Sequence, residues 1–371
     1  MSTIYKHAHF LPDAFGHGGS KRTAQINELL ADAGLPFNDA DFGFAEKSTN
    51  KAALLLKGAR HQKKIGGDLK RTYAIGRYRQ LFESFVKKNK PGLFIWESTT
   101  EYFLLLAEIL HNHNIPLIGL PHNLESLVPG AASVLSNKTS PDWMFEEVKY
   151  LKYCQKVFTI SREEAWLLSV MGVNASYLPY YPAREAEKFL LDIRSERELH
   201  KKLAPNKDLL LLGTFYNNPT AEGYIELIGQ LKSYKNITLH VAGYGSERIK
   251  DIFSESNVHI YGSVTPSELK KLIIKCDCAL IRQQSTGGAL TRIPELLIAG
   301  IPVIANVHAA RSYFDLKGLK VYYSYPELLD MLNDESYEMP PAPERPVELK
   351  LFMDYVGTEN KKRLSPELKT N

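Results

Sequence analysis

Gly287-Gly288-Ala289-Leu290-Thr291-Arg292-Ile293-Pro294-Glu295-Leu296-Leu297-Ile298-Ala299-Gly300-Ile301-Pro302-Val303-Ile304-Ala305 reads as a glycine turn, a short helix, a second glycine and a buried strand. The glycine pair enters a helix whose one acid is Glu295. Gly300 stops that helix, and Pro302 to Ala305 is apolar enough for a strand interior. Such a turn presents free backbone N–H groups at a positive helix end, which suits a phosphate. A carboxylate one turn further in can accept both hydroxyls of a ribose. A tight loop before an ordinary amphipathic helix has the same local pattern. The rest of the chain decides between them.

Upstream, strands and helices alternate. Leu209 to Gly213 is a buried strand and Pro219 to Leu231 a helix. Ile237 to Ala242 is a strand ending in Gly243-Tyr244-Gly245, with further strands at Val258 to Tyr261 and Cys278 to Ile281. Ser267 to Lys275 is the amphipathic helix between these last two. The first half repeats the scheme. A strand from Ile4 to Leu11 meets the loop His17-Gly18-Gly19-Ser20 and a helix from Lys21 to Ala33. Strands follow at Gly92 to Trp96, Pro116 to Leu120 and Lys156 to Ile160, with helices at Tyr102 to His111 and Glu163 to Met171. This alternation predicts parallel sheets with helices on both faces.

The expected architecture is therefore α/β, with two doubly wound Rossmann-like domains facing across a cleft. Residues 1–182 form the first domain and 183–345 the second, with the charged, Pro-flanked stretch 181–206 connecting them. The tail 346–371 carries a last helix, Val347 to Val356, that packs back on the first domain. In doubly wound sheets ligands gather at the carboxyl ends of strands. The glycine loops after Leu11, Leu212 and Ala242 all fall there, as does the Gly287-to-Glu295 segment.

Composition narrows the class. The 371 residues, 44% hydrophobic and 24% charged, suit a two-domain globular protein. Three cysteines, Cys154, Cys276 and Cys278, make no disulfide framework and point to a reducing cytoplasm. The opening residues lack a signal-peptide layout, and no apolar run reaches the roughly 18 residues of a membrane span. The net charge of +4 conceals an asymmetry: Lys51 to Lys90 holds twelve basic residues against Asp68 and Glu83. Tyr73, Tyr78, Phe82 and Phe85 are interleaved with them. The pattern fits an anionic membrane surface, with a nucleic-acid groove less favoured. It equally fits a solvated helix face whose aromatics turn into the core.

The order of these elements resembles a GT-B glycosyltransferase, most closely the retaining, nucleotide-sugar-dependent enzymes of family 4. The resemblance rests on Gly18-Gly19, Pro121-His122-Asn123, Ser161, Gly213, Val241 to Gly245, Tyr261-Gly262-Ser263-Val264 and Glu295 with Gly300 to Ile304. It is clearest from Leu209 to Ala305. It implies transfer of a sugar from a nucleoside diphosphate sugar to a hydroxyl acceptor, a glycan or a lipid-linked one. Polysaccharide or glycolipid synthesis on the inner face of a membrane is the implied setting. The nucleotide sugar is substrate, and no cofactor is implied.

Carried over residue by residue, Glu295 binds the ribose and the amides of Ala289, Leu290 and Thr291 meet the diphosphate. Ser263 and Val264 border the base. Gly18 and Gly19 approach the donor from the opposite domain. Gly213, Thr214, Tyr244, Gly287 and Gly288 complete the implied donor set. His122 matches a histidine near the transferred sugar, and its other reading is a satisfied histidine at a strand end. Two departures stand out. The family's acid eight residues before Glu295 is Gly287 here, which moves sugar recognition to Arg282, Gln283 or Gln284. The family's Arg and Lys after the Leu209–Leu212 strand are also missing, so Arg282 or Arg292 must bring charge to the phosphates. These departures keep a catalytically degenerate nucleotide-sugar binder as the alternative. Asp39-Ala40-Asp41 has the spacing of a metal-binding pair but sits away from the strand ends. His7 and His9 lack a third ligand for zinc.

Overall fold

The computed structural model describes residues 3–44, 50–62, 68–199, 207–333 and 337–364. The chain divides into two units: Met1–Leu11, Ile26–Pro179 and Val347–Asn371 form unit 1, and Pro12–Gln25 with Tyr180–Pro346 form unit 2.

In unit 1 the elements run β1 (Ile4–His7), α1 (Gly18–Asp32, whose first turns belong to unit 2), β2 (Phe37–Asp39), α2 (Lys51–Gln62), α3 (Leu69–Asn89), β3 (Leu93–Trp96), α4 (Leu104–Asn112), β4 (Leu117–Gly119), α5 (Asp142–Leu151), β5 (Lys156–Thr159), α6 (Arg162–Val170) and β6 (Ala175–Tyr177). They build a six-stranded sheet in the order β2-β1-β3-β4-β5-β6. Every recorded pairing is parallel. All four residues of β3 are buried, as expected of a strand covered on both faces. Strand β1 is shorter than the apolar alternation suggested. It ends at His7, opposite Trp96, where its partner β3 also ends.

The basic stretch forms the antiparallel pair α2–α3. Gly58 and Gly76 let the two backbones touch, since a Cβ on Gly58 would lie 1.9 Å from the Thr72 carbonyl oxygen. Its aromatics do not face outward. Phe82 and Phe85 are buried, and Tyr78 stacks on Tyr102 at 4.8 Å. The core takes these rings because α3 is amphipathic and packs on α4. The charges stay outside: Lys57 pairs with Glu83 at 2.6 Å and Arg79 with Glu108 at 3.1 Å, and Lys51, Arg60, Lys70, Lys87, Lys88 and Lys90 are exposed. Lys63 and Lys64 lie outside the described residues.

Unit 2 contains α7 (Arg184–Leu199), β7 (Lys207–Leu212), α8 (Asn218–Leu231), β8 (Ile237–Ala242), β9 (Val258–Gly262), α9 (Pro266–Lys275), β10 (Cys278–Ile281), α10 (Arg292–Ile298), β11 (Val303–Asn306), α11 (Val307–Ala310), β12 (Leu319–Tyr322) and α12 (Tyr325–Asn333). Its parallel sheet has the order β12-β11-β10-β7-β8-β9. The chain therefore reverses direction across the sheet between β7 and β10, the switch point where ligands collect in such folds. A last helix, α13 (Val347–Leu364), returns to unit 1 and packs Phe352 edge-on against Phe158, 5.1 Å between ring centres. Residues 365–371 lie outside the described part.

Within the stretch 181–206, residues Arg184–Leu199 form helix α7, and residues 200–206 lie outside the described part. Its charges have internal work. Arg194 donates to the Leu297 and Ile298 carbonyls at 2.7 and 2.8 Å, and Arg197 to Gly300 at 3.0 Å. These carbonyls lie at and just beyond the end of α10, where the partial negative charge of a helix terminus favours a cation. Among the described residues no helix is long and apolar enough to cross a membrane.

Candidate functional site

The loops after β7 and β10 flank the switch point of unit 2. After β7 the chain turns through Gly213, where backbone and side chains crowd. A Cβ there would meet Thr220 Cγ2 at 2.8 Å, Tyr224 Cε2 at 3.0 Å and Arg292 Nη1 at 3.2 Å. A side chain there would crowd Thr220 and Tyr224 first and the arginine next.

Arg292 opens α10 and reaches back to this turn, with its guanidinium 5.8 Å from the centre of the buried Tyr224 ring. Its Nε and Nη2 are buried and make no hydrogen bond. Buried charged donors are normally paired, so this arrangement calls for an anion. In the loop after β10, the Gln283 Oε1 is also buried without a hydrogen-bond partner among the described residues. The Gln283 backbone is held in place by Asn306, which accepts from its N–H at 3.1 Å and donates to its carbonyl at 2.9 Å.

Arg282 is placed differently. It makes a two-pronged contact to Glu226, at 2.6 and 3.0 Å, and lies 4.9 Å from the Tyr325 ring centre. Gln284 also donates to Glu226, at 3.3 Å. Of the two arginines weighed for the phosphates, Arg282 already has a counter-ion, and Arg292 has none among the described residues.

Helix α10 begins later than the glycine pair suggested. Gly287 to Leu290 are loop, Gly288 has a φ of +72°, and its carbonyl accepts from Arg311. The helix spans only 7 residues, so its terminal field is small and side chains supply most of the charge. Thr291 lies beside Gly18, its Oγ1 3.4 Å from where a Cβ on Gly18 would be. The two loops thus adjoin within unit 2.

One turn further along, Glu295 meets α1. Its Oε2 accepts from Lys21 Nζ at 2.6 Å and its Oε1 from the Tyr180 hydroxyl at 2.7 Å. The carboxylate is buried, and burial together with its charge raises the Tyr180 phenol well above its usual range. A carboxylate has about four acceptor positions, so two remain for hydroxyls. The other loops are more open. Tyr244 and Tyr216 are exposed and pack ring to ring at 4.6 Å, with Arg248 over Tyr216 at 5.0 Å. Ser263 is exposed and Val264 half-buried, just before the Thr265–Glu268 capping box of α9. Thr214 is half-buried beside Gly213, and Gly19 donates its N–H to His17.

No protein-family model matches the sequence, and no curated protein matches it. Solved structures do. Sucrose-phosphate synthase from Thermosynechococcus elongatus superposes with a TM-score of 0.63 at 14% identity, over 98% of this chain and 94% of that one. HepE of Anabaena, in complex with UDP and glucose, gives 0.57 at 12% identity over the whole of both chains. A UDP-forming α,α-trehalose-phosphate synthase from Burkholderia vietnamiensis gives 0.58 at 11% identity, over 99% and 94%. The fold is that of the GT-B glycosyltransferases.

In GT-B terms the first sheet carries its own polar cluster, at the switch point between β1 and β3. Glu97, the first residue after β3, pairs with Lys6 of β1 at 2.7 Å and lies 3.4 Å from His122 Nε2. Both members of the Lys6–Glu97 pair are buried. Burial alone would raise the Glu97 carboxyl, but the His122 and Lys6 contacts outweigh it and hold it at about 2. The His122 imidazole thus sits beside this carboxylate, with Phe10 edge-on at 5.3 Å. Its loop is fixed from below by Glu147, which accepts from the Glu125 and Ser126 N–H groups and the Ser126 hydroxyl. Burial pushes that carboxyl up to about 7 against these bonds. His7 is engaged separately, 2.6 Å from the Ser98 hydroxyl and stacked on Phe103, and burial with the Lys6 charge lowers it to about 4.

Sequence reasoning missed Lys21, Tyr180, Lys6 and Glu97. A lysine inside an apolar strand and an acid directly after a strand are readable signals of a buried pair. Lys21 and Tyr180 carry no such signal, because only the tertiary fold brings them to Glu295.

Proposed function

We propose that the chain is a hexosyltransferase-like glycosyltransferase acting in polysaccharide or glycolipid synthesis. It moves a sugar from a nucleoside diphosphate sugar to a hydroxyl of a glycan or lipid-linked acceptor. Anomeric configuration is retained, as in the family 4 enzymes its motifs resemble. One observation carries the reading: the Arg292 guanidinium, whose buried Nε and Nη2 have no acceptor among the described residues, beside the Gly213 turn at a GT-B switch point. A diphosphate is the anion that suits this position. The bound UDP and glucose of HepE and the UDP-forming synthase support the same substrate class.

In the proposed reaction the bond from the anomeric carbon to the diphosphate breaks, and the diphosphate leaves with the electron pair. The main task is to stabilise that charge, which preorganised donors in a dry site do well. Arg292 and the amides of Ala289 to Thr291 take the diphosphate, with Gly18, Gly19, Gly287 and Gly288 admitting it closely. Glu295 takes the ribose hydroxyls, Ser263, Val264 and Tyr244 the base. Gln283 replaces the missing acid at Gly287 as the partner of a sugar hydroxyl. Arg282 stands behind Arg292, because Glu226 already neutralises it. Within unit 1, His122, whose Nε2 lies 3.4 Å from Glu97, is kept as a candidate catalytic residue.

A second reading, a nucleotide-sugar binder without transfer, is favoured by Gly287, which leaves no carboxylate in the usual sugar-binding place. Calorimetric titration with UDP-glucose, GDP-mannose and ADP-glucose, followed by a nucleoside diphosphate release assay with glycan acceptors, separates the two. Binding with release supports the transferase, binding without release supports the binder, and no binding rejects both.

A further inference from the structure

On the β9 side of the switch point, the loops after β7, β8 and β9 are tied together, all within unit 2. The Gly243 N–H donates to the Gly262 carbonyl at 2.9 Å, and the Phe215 N–H to the Tyr244 carbonyl at 2.8 Å. Tyr216 packs directly on Gly245, where a Cβ would meet its Cε2 at 2.7 Å. Gly245 also has a φ of +85°, so the position requires glycine on both counts. The Tyr244 ring thus stands on a fixed turn and is braced by Tyr216, yet it is 62% exposed. An aromatic ring exposed on a rigid support is what a planar ligand stacks on.

Glu247 follows two residues after Gly245. Its Oε2 lies 3.4 Å from where a Cβ on Gly262 would be, so the carboxylate reaches the residue just before Ser263 and Val264. It is exposed, and among the described residues it makes no side-chain hydrogen bond or ion pair. The neighbouring Arg248 is turned to Tyr216 instead, its guanidinium 5.0 Å from the centre of that ring.

We infer that unit 2 selects guanine: the base of the donor nucleotide stacks on Tyr244 and presents its N1–H and its N2 amino group to Glu247. The inference rests on the proposed reading of Tyr244, Ser263 and Val264 as the residues that border the base. Stacking alone tolerates any base, so the choice falls to the carboxylate. A carboxylate only accepts hydrogen bonds, and its two oxygens match two adjacent donors. Guanine offers such a pair on its pairing edge. Uracil sets its one N–H between two carbonyl oxygens. Adenine and cytosine each set an acceptor nitrogen beside the amino group. All three would bring a lone pair against Glu247.

Calorimetric titration of the full chain with GDP, ADP, UDP and the diphosphates of inosine and xanthosine tests this. Inosine lacks the amino group of guanosine, and xanthosine carries an oxygen in its place. The natural chain should bind GDP about tenfold or more tighter than each of the others. Glu247→Gln should lose the preference for GDP over inosine diphosphate. It should also bind xanthosine diphosphate better than the natural chain does, since its amide can donate to that oxygen. This gain cannot come from a variant that fails to fold. Tyr244→Ala should weaken GDP and inosine diphosphate alike, by about tenfold. Equal affinity of the natural chain for GDP and inosine diphosphate overturns the proposal, as does a preference that survives in Glu247→Gln. UDP or ADP bound more tightly than GDP, and weakened by Arg292→Met, overturns the guanine assignment and leaves the transferase reading standing. Failure to bind any of the five overturns both.

Discussion

Lys21 Nζ lies 2.6 Å from Glu295 Oε2, joining the first turn after one glycine loop to the first turn after another. Both side chains are largely shielded from water, so the pair is worth more than a surface ion pair. The family's Arg and Lys after β7 are absent here. The cations near the proposed diphosphate position come instead from α1 and α10.

Removing either partner should leave the other partly buried and unpaired. Lys21→Met and Glu295→Gln are each expected to cost about 2 kcal/mol in folding stability, as charged hydrogen bonds do. The double variant should cost clearly less than the two together. Urea denaturation of the four proteins measures the coupling, and simple additivity would show that the pair contributes nothing of its own. Glu295→Gln should also weaken nucleotide-sugar binding by roughly tenfold, read by calorimetry.

Arg282 and Arg292 should behave differently. Arg282→Met breaks the contact to Glu226 and is expected to lower stability by about 1 kcal/mol, with nucleoside diphosphate affinity changed less than about twofold. A large affinity loss would show that Arg282 leaves Glu226 when the nucleotide arrives.

Glu97→Gln should destabilise the protein by about 3–5 kcal/mol, because it strands the buried Lys6 ammonium. The pH dependence follows from the depressed Glu97 carboxyl. Its stabilising effect is complete above its ordinary value of 4.5 and is lost as pH falls from there towards 2. Denaturation midpoints across that window should fall more steeply for the natural chain than for the variant. Parallel curves would contradict the assignment.

Glu147 has the opposite sign. With its carboxyl raised to about 7, the folded state keeps a proton that the unfolded chain has released above 4.5. Stability from this group therefore declines as pH rises from 4.5 through 7. Glu147→Gln should flatten that decline, measured by thermal melts at a series of pH values. An unaltered slope would mean that other groups cause it.

The parts of the fold legible in the sequence are those buried on both faces. Leu209 to Leu212, Ile237 to Ala242 and Cys278 to Ile281 are apolar runs bounded by turn residues, and each is a central strand. The edge strands β2, β6 and β12 escaped notice. They have three or four residues each and half-exposed, mixed side chains, so they carry no usable period. Helix α7 was hidden for a different reason: its charged face, which reads as a linker, caps the carbonyls of α10. At the candidate site the glycine turns and Glu295 were visible because backbone geometry demands those residue types locally. Lys21 and Tyr180 were not, since their relation to Glu295 spans 274 and 115 residues of chain.

Calorimetric titration of UDP, GDP and ADP against the natural chain and Arg292→Met, with the corresponding nucleosides as controls, tests the central claim most directly. At least one diphosphate should bind the natural chain and lose about tenfold or more in the variant, while its nucleoside binds both equally. Equal diphosphate affinity in the two proteins, or no diphosphate binding at all, would contradict it.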